Sequence, residues 1–436
     1  MRKLSFALLL ALVAPATAHA QTADFSDVVR KVAPAVVNIT TEGASLEGIF
    51  PLPRPESMPG MQGQGAGFIV GANGTIVTNN HVVEGAQRIQ VEMQDGRTYD
   101  ATLVGTDPLT DIAVLDIEGD DHPVLAFADS DKVEVGDWAL ALGNPLGQGF
   151  SVSLGIVSAR GRMLSGAFDD YLQTDAAINR GNSGGPLFND RGEVIGMNTA
   201  ILSPTGGSIG IGFAMSSNVV KDVTTQITTY GTTRRGWLGV QMQEVTPGIA
   251  EAVGLDATKG ALVMELLEGP AKDAGLLSGD IVLGFDGNPV ADTADLTRRI
   301  AKAGPDVTVE LDVWREGARQ TISVALGSRE ETQTAMQAKA NEPATFEGWT
   351  FANLEDTDKN RLNLPNTVVG ARITDAPDTG VLAVDDVVVS INQQPIARAQ
   401  DAVQALQALK SAGRASALLQ VARGGKPMFV VFPLNR

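Results

Sequence analysis

Apolar and polar positions alternate in short beats between residues 35 and 214. The runs include Val36-Val37-Asn38-Ile39-Thr40, Gly67-Phe68-Ile69-Val70, Thr75-Ile76-Val77-Thr78, Arg88-Ile89-Gln90-Val91-Glu92 and Ile112-Ala113-Val114-Leu115. They are rich in β-branched side chains, and Asn73-Gly74 and Asp95-Gly96 supply turns between them. Closely spaced strands of this kind predict an all-β barrel or sandwich domain. Between Glu42 and Gln64 the pattern stops. Pro51, Pro53, Pro55 and Pro59 lack the amide donors a central strand needs, which predicts a long surface loop.

Beyond residue 231 the pattern changes and repeats. The stretch Gly279-Asp280-Ile281-Val282-Leu283-Gly284-Phe285-Asp286-Gly287-Asn288-Pro289-Val290 recurs as Asp385-Asp386-Val387-Val388-Val389-Ser390-Ile391-Asn392-Gln393-Gln394-Pro395-Ile396. Later, Val313-Trp314-Arg315-Glu316-Gly317 recurs as Val421-Ala422-Arg423-Gly424-Gly425. Each copy reads as a strand, a turn, a helical stretch (Thr293 to Ala303, then Gln400 to Ala412) and two more strands. That order predicts two copies of one small α+β module, at 231–328 and 346–436, behind a β domain at 21–230. The polar stretch from Ser328 to Pro343 reads as a linker, assigned to 329–345.

The N-terminus adds an address. Met1-Arg2-Lys3, the apolar run Leu4 to Val13, Pro15 and the small residues of Ala18-His19-Ala20 have the layout of a cleavable secretory signal over 1–20. The apolar run is about half the ~20 residues a spanning helix needs. Cysteine is absent, which excludes disulfides, thiolate metal sites and lipid attachment through sulfur. The net charge of −18 repels phosphate backbones and anionic lipid, so no nucleic acid partner is expected.

The chemistry centres on Ser183, in Gly181-Asn182-Ser183-Gly184-Gly185-Pro186. A hydroxyl attacks well only when a base takes its proton and fixed donors hold the developing oxyanion. The glycines let the backbone turn tightly, with the N–H groups of Gly181 and Ser183 as the expected donors, each worth ~3 kcal/mol of transition-state stabilisation. Of the three histidines, His19 leaves with the signal. His122, in Asp120-Asp121-His122-Pro123, is expected to face solvent. His81, in Thr78-Asn79-Asn80-His81-Val82-Val83, remains as the base. Asp111, ahead of the apolar run Ile112 to Leu115, is placed to orient it, and the order His, Asp, Ser matches that of chymotrypsin. No metal-ligand set or phosphate-binding loop accompanies these residues, so neither metal nor cofactor is expected. The glycine-rich stretch 206–212 reads as a loop beside the site.

On the motifs Thr78 to Val83, Asp111 to Leu115 and Gln173 to Gly185, the chain resembles the HtrA family of trypsin-like serine proteases, in its DegP/DegQ-like form. The resemblance implies a chymotrypsin-like double β-barrel followed by two PDZ domains, in a periplasmic endopeptidase that degrades unfolded or misfolded proteins. It makes His81 the general base, Asp111 its orienting carboxylate, Ser183 the nucleophile, and Gly181 with Ser183 the oxyanion hole. Ile178 and Ile201 become the lining of a pocket for small aliphatic side chains, and Arg162 part of a regulatory loop. In the first PDZ domain, Leu238, Gly239 and Val240 become the donors to a peptide's terminal carboxylate. The second copy has Glu347-Gly348-Trp349 there, where a glutamate opposes a carboxylate. Homotrimers, larger cages and chaperone activity are further family expectations. A PDZ scaffold or holdase with an idle barrel is the alternative.

Overall fold

The computed structural model describes residues 24–43, 62–143, 150–164, 166–179, 181–201, 207–365, 367–377 and 381–434. The expected signal segment, most of the proline-rich loop, Arg180 and part of the 206–212 loop lie outside them. The chain forms two compact units, Met1–Thr233 and Arg234–Arg436.

The first unit holds two closed six-stranded barrels. One contains β1 (Val36–Glu42), β2 (Gln62–Ile69), β3 (Thr75–Thr78), β4 (Arg88–Glu92), β5 (Thr98–Asp107) and β6 (Ile112–Asp116), in the order β1-β2-β3-β6-β5-β4. The other contains β7 (Trp138–Gly143), β8 (Ser151–Arg162), β9 (Tyr171–Thr174), β10 (Pro186–Phe188), β11 (Val194–Ile201) and β12 (Gly212–Ser216), in the order β10-β11-β12-β9-β8-β7. Read from β7, the second order repeats the first. The burial of each strand follows its sequence. In β4, Ile89 and Val91 point inward while Arg88, Gln90 and Glu92 face water, whereas β3 is buried throughout. A helix, Ser217–Tyr230, closes the unit and buries Val220, Val223 and Ile227 on one face. Each such aliphatic side chain contributes about 1.5–3 kcal/mol. The helix ends at Gly231, whose φ of 75° suits glycine.

Two large sheets, and a two-stranded one of Gly236–Trp237 with Gly327–Ser328, make up the second unit. In the first, strands Val240–Glu244, Ala261–Leu266, Ile281–Phe285, Thr308–Arg315 and Ala318–Ala325 lie in that order, with helix Thr293–Ala303 capped by the Asp292 carboxylate. In the second, Ala344–Phe346, Trp349–Asn353, Ala371–Asp375, Val387–Ile391, Ser416–Arg423 and Lys426–Pro433 lie in order, with helix Ala399–Ser411. The sequence repeat is a structural one. Asp280 is buried and takes two hydrogen bonds from Arg315, both 2.7 Å; Asp386 is buried and takes two from Arg423, at 2.7 and 2.6 Å.

Two expectations change. The polar segment between the modules forms a helix, Arg329–Asn341, and the Glu330 carboxylate near its start accepts the Arg235 N–H at 2.9 Å. His122 does not face solvent. It is 8% exposed, packs edge-on against Tyr99, and its Nε2 lies 3.1 Å from the Glu118 carbonyl oxygen. The acidic turn folds back over its own histidine, which keeps that imidazole apart from any chemistry.

Candidate active site

The strand β3 ends at Thr78, and a single helical turn, Asn80–Val83, carries His81. Asp111 stands at the start of β6, across from that turn. Its Oδ2 lies 2.6 Å from His81 Nδ1, and its Oδ1 accepts the His81 backbone N–H at 2.9 Å. One carboxylate thus fixes both the ring and the backbone of the same histidine. Both side chains are partly covered, 29% and 23% exposed. The grip needs an unusual backbone, since Asp111 has φ of 55°, a left-handed conformation uncommon outside glycine. With Nδ1 facing the carboxylate, Nε2 is the nitrogen left to take a proton.

Ser183 reaches the same place from the second barrel, in the turn between β9 and β10. Its carbonyl oxygen accepts the Ala66 N–H of β2 at 2.8 Å, and the Gly184 N–H donates to the Asn198 carbonyl at 2.8 Å. Gly184, at φ 82°, explains why glycine stands here: a Cβ would lie 2.3 Å from both the Ala66 carbonyl oxygen and Thr78 Oγ1. Gly65 of β2 is equally confined, between Val82 of the histidine turn and the Ser183 carbonyl. The Ser183 segment and the His81 turn are therefore pressed onto one strip of β2. Gly181 also has a positive φ, 95°, which re-aims the chain two residues before Ser183.

The other predicted residues separate into groups. Ile178 is buried and Ile201 half-buried, both packed in one cluster of the second barrel with Ala176, Leu187 and Ala214. Ser208, in the described part of the glycine-rich loop, donates its N–H to Asn179 Oδ1 at 2.9 Å, tying that loop to the segment before Ser183. Arg162 ends β8 at the surface and donates to Gln173 Oε1 at 3.1 Å.

In the second unit, the Leu238 and Gly239 carbonyls accept the N–H groups of Ala271 and Leu267, both at 2.9 Å. Across a trans peptide the carbonyl and the next N–H point oppositely, so the Gly239 and Val240 N–H groups face away from those partners. Val240 then opens an edge strand.

Sequence reasoning passed over Asn79, Thr199 and Tyr171. Asn79 is fully buried between Asp111 and Thr199. Tyr171 is buried too; desolvation first, then the Asp169 and Asp111 charges, raise its phenol well above the ordinary value and keep it neutral. Asn79 sat inside a quoted motif, but its partners lie on distant strands that no local pattern reveals.

Two protein families match parts of the chain. Residues 65–197 match the trypsin-like peptidase domain family, and residues 236–326 match the PDZ domain family. A probable periplasmic serine endoprotease DegP-like from Pseudomonas fulva is 38% identical, over 96% of this chain and 95% of its own length. One of the same description from Rhizobium meliloti is 42% identical, over 88% of this chain and 78% of its own length. Among solved structures, the HtrA-type protease AlgW with tripeptide is 39% identical, with a TM-score of 0.63, and the match covers 70% of this chain and 97% of that one.

Proposed function

Because the chain belongs to the HtrA family of serine endopeptidases, we propose that it cleaves unfolded or misfolded proteins of the periplasm through His81, Asp111 and Ser183. The observation carrying this reading is the double hold of Asp111 on His81, at 2.6 and 2.9 Å, beside the strip of β2 that also binds the Ser183 segment. In the reaction, Ser183 Oγ attacks the scissile carbonyl while His81 Nε2 takes its proton. Asp111 stabilises the imidazolium, which then protonates the leaving amine. The N–H groups of Gly181 and Ser183 hold the oxyanion, and water repeats the sequence to free the acyl-enzyme. Ile178 and Ile201, packed in one apolar cluster, line a pocket that favours a small aliphatic side chain before the scissile bond.

The first module captures an extended C-terminal peptide on the edge strand Val240–Glu244, with its carboxylate on the N–H groups of the loop Leu238 to Val240. The second sheet is read as a second PDZ domain, on the strength of the matched aspartate–arginine pairs. Arg162 relays peptide occupancy, and a homotrimer building cages with chaperone activity completes the proposal.

The decisive experiment uses the mature protein and an unfolded casein-like substrate. Ser183→Ala is expected to lower kcat by about 10⁶ while leaving the fold and light-scattering mass unchanged. Undiminished cleavage by that variant ends the reading. Labelling of Ser183 by a fluorophosphonate probe is expected in the wild type; failure to label, even with activating peptide present, favours the idle-barrel alternative.

A further inference from the structure

Asp111 does its work from a backbone conformation that an aspartate does not choose unaided, and something must hold it there. The His81 contacts cannot be the whole cause, because they are what the conformation serves. Two further bonds converge on the Asp111 carbonyl oxygen: the Asn80 N–H at 3.1 Å and Asn79 Nδ2 at 2.9 Å. The first belongs to the same turn as His81 and moves with it. The second comes from a side chain that is fully buried and anchored elsewhere.

That anchor is in the other barrel. Asn79 Nδ2 also lies 3.2 Å from Thr199 Oγ1 of β11, and the Thr199 hydroxyl donates to the Met197 carbonyl at 3.0 Å. With its single proton committed, the Thr199 oxygen faces Asn79 as an acceptor. The two amide protons therefore have two acceptors, Asp111 O and Thr199 Oγ1, and a flipped amide would set oxygen against oxygen at both. One side chain thus bonds both the aspartate segment and the second barrel's β11, and the Asn79 backbone N lies beside Gly184, 3.0 Å from where a Cβ there would stand.

We infer that Asn79 is a positioning residue for proteolysis, a clamp that holds Asp111 in its left-handed conformation and references it to the barrel that carries Ser183. The inference rests on the assignment of His81, Asp111 and Ser183 above. Removing the clamp leaves the Asp111 carbonyl on the Asn80 N–H alone, which moves with the His81 turn, and the carboxylate drifts from Nδ1. The effect falls on chemistry and leaves ground-state binding alone.

The test is kinetic and uses the full mature chain with a chromogenic peptide, normalised by fluorophosphonate titration of Ser183. Asn79→Ala is expected to lower kcat by about 10²-fold, as a misplacement of about 1 Å does, with KM within about twofold. Asn79→Asp keeps the volume but removes both donors, and is expected to be at least as impaired. Thr199→Val, which removes only the far acceptor, is expected to show a smaller loss in the same direction, and Thr199→Ser to restore it. Should Asn79→Ala fail to fold, the Thr199 pair carries the test. A folded Asn79→Ala with wild-type kcat, or one whose loss falls on KM, overturns the inference, as does an Asn79→Asp variant with wild-type kcat. If wild-type Ser183 takes no probe, the triad assignment has failed and the clamp falls with it.

Discussion

The two modules of the second unit share a frame and differ at the edge where a peptide would add. In the first, the chain enters through Gly236–Trp237, which pairs with Gly327–Ser328, and the outer edge of Val240–Glu244 meets no strand among the described residues. In the second, the entering chain turns straight back. Glu347 and Gly348, both at positive φ (49° and 85°), make a two-residue hairpin turn of the type that Glu-Gly permits. Ala344–Phe346 then pairs with the start of Trp349–Asn353, Phe346 facing Trp349 and Ala344 facing Phe351. The Glu347 carboxylate meets Lys410 of the neighbouring helix, and Phe346 is buried near Phe432. The register leaves no doubt about equivalence, because a bulge falls between Gln241 and Met242 in one module and between Thr350 and Phe351 in the other. The second module has filled its own peptide edge. A single frame thus serves two ends: one open to strand addition, the other closed by its own chain.

The frame is the place to strike both modules alike. Asp280 and Asp386 are each 1% exposed, and each also accepts a backbone N–H, from Leu277 and Ala383, at 2.8 Å. Breaking a buried ion pair costs about 3–5 kcal/mol. Here the guanidiniums keep some water contact, 21% exposed for Arg315 and 40% for Arg423, so Asp→Ala is expected to cost about 2–3 kcal/mol, more for Asp280. Urea unfolding followed by Trp314 in the first module and Trp349 in the second reads the two losses separately. A loss confined to one module breaks the claim of a common frame.

The edge should respond in one module only. Gly239 has φ of 82°, and a Cβ there would lie 3.0 Å from the Trp237 ring. Gly239→Val is expected to distort the loop and weaken binding of a fluorescent peptide with a free C-terminus by about tenfold, or 1.4 kcal/mol. Gly348→Val, at φ of 85°, is expected to leave that titration untouched, since its edge is already paired. Anisotropy titration measures both. Weakening by the Gly348 variant would show that peptide also reaches the second edge.

This contrast marks what sequence could tell. The β strands, the turns at Gly74 and Gly96, the helix Thr293–Ala303 and the duplicated module were all legible, because each is encoded by local periodicity and turn chemistry. The pairing of His81 with Asp111 was legible because scarcity and context single them out. Glu347 was noticed as a charge in the wrong place, but its partner Lys410 and the strand that folds back were not, since register is a property of pairs. The same holds for Asn79 and Thr199, which meet only once both barrels have closed. His122 misled for the converse reason: a polar neighbourhood does not imply exposure when the turn covers itself.

Acid should separate the modules again. Where the first has Gly279, the second has Asp385, bonded by Arg361 at 2.7 and 2.8 Å and by Arg372 at 3.1 Å. The hydrogen bond from Arg361 is the largest influence and outweighs burial, which raises the carboxyl; the Arg372 hydrogen bond and both charges add to the lowering, so the carboxyl sits below its ordinary value. A depressed carboxylate contributes stability above its unfolded pKa of about 3.9, and that contribution disappears as pH falls through the lower folded value. The second module is therefore expected to lose stability more steeply below about pH 4 than its Asp385→Gly variant does. Parallel acid profiles of the two proteins, read at Trp349, would show that these ion pairs contribute nothing.

The smallest effect isolates the backbone. Asp385 has φ of 72° where Gly279 has 95°, so both modules demand the same left-handed turn and only one meets it with glycine. Asp385→Ala and Asp385→Gly lose the same ion pairs, but alanine retains a Cβ in that turn. The glycine variant is expected to be the more stable by about 1 kcal/mol. In the first module, a Cβ on Gly279 would meet nothing within 4 Å, so Gly279→Ala is expected to cost the same ~1 kcal/mol from conformation alone. Equal differences in the two modules would mean that the turn carries the same strain in both. The Asp385 ion pairs would then be the second module's compensation for lacking glycine. Unequal differences would mean that the turns, despite their matching φ, are held differently.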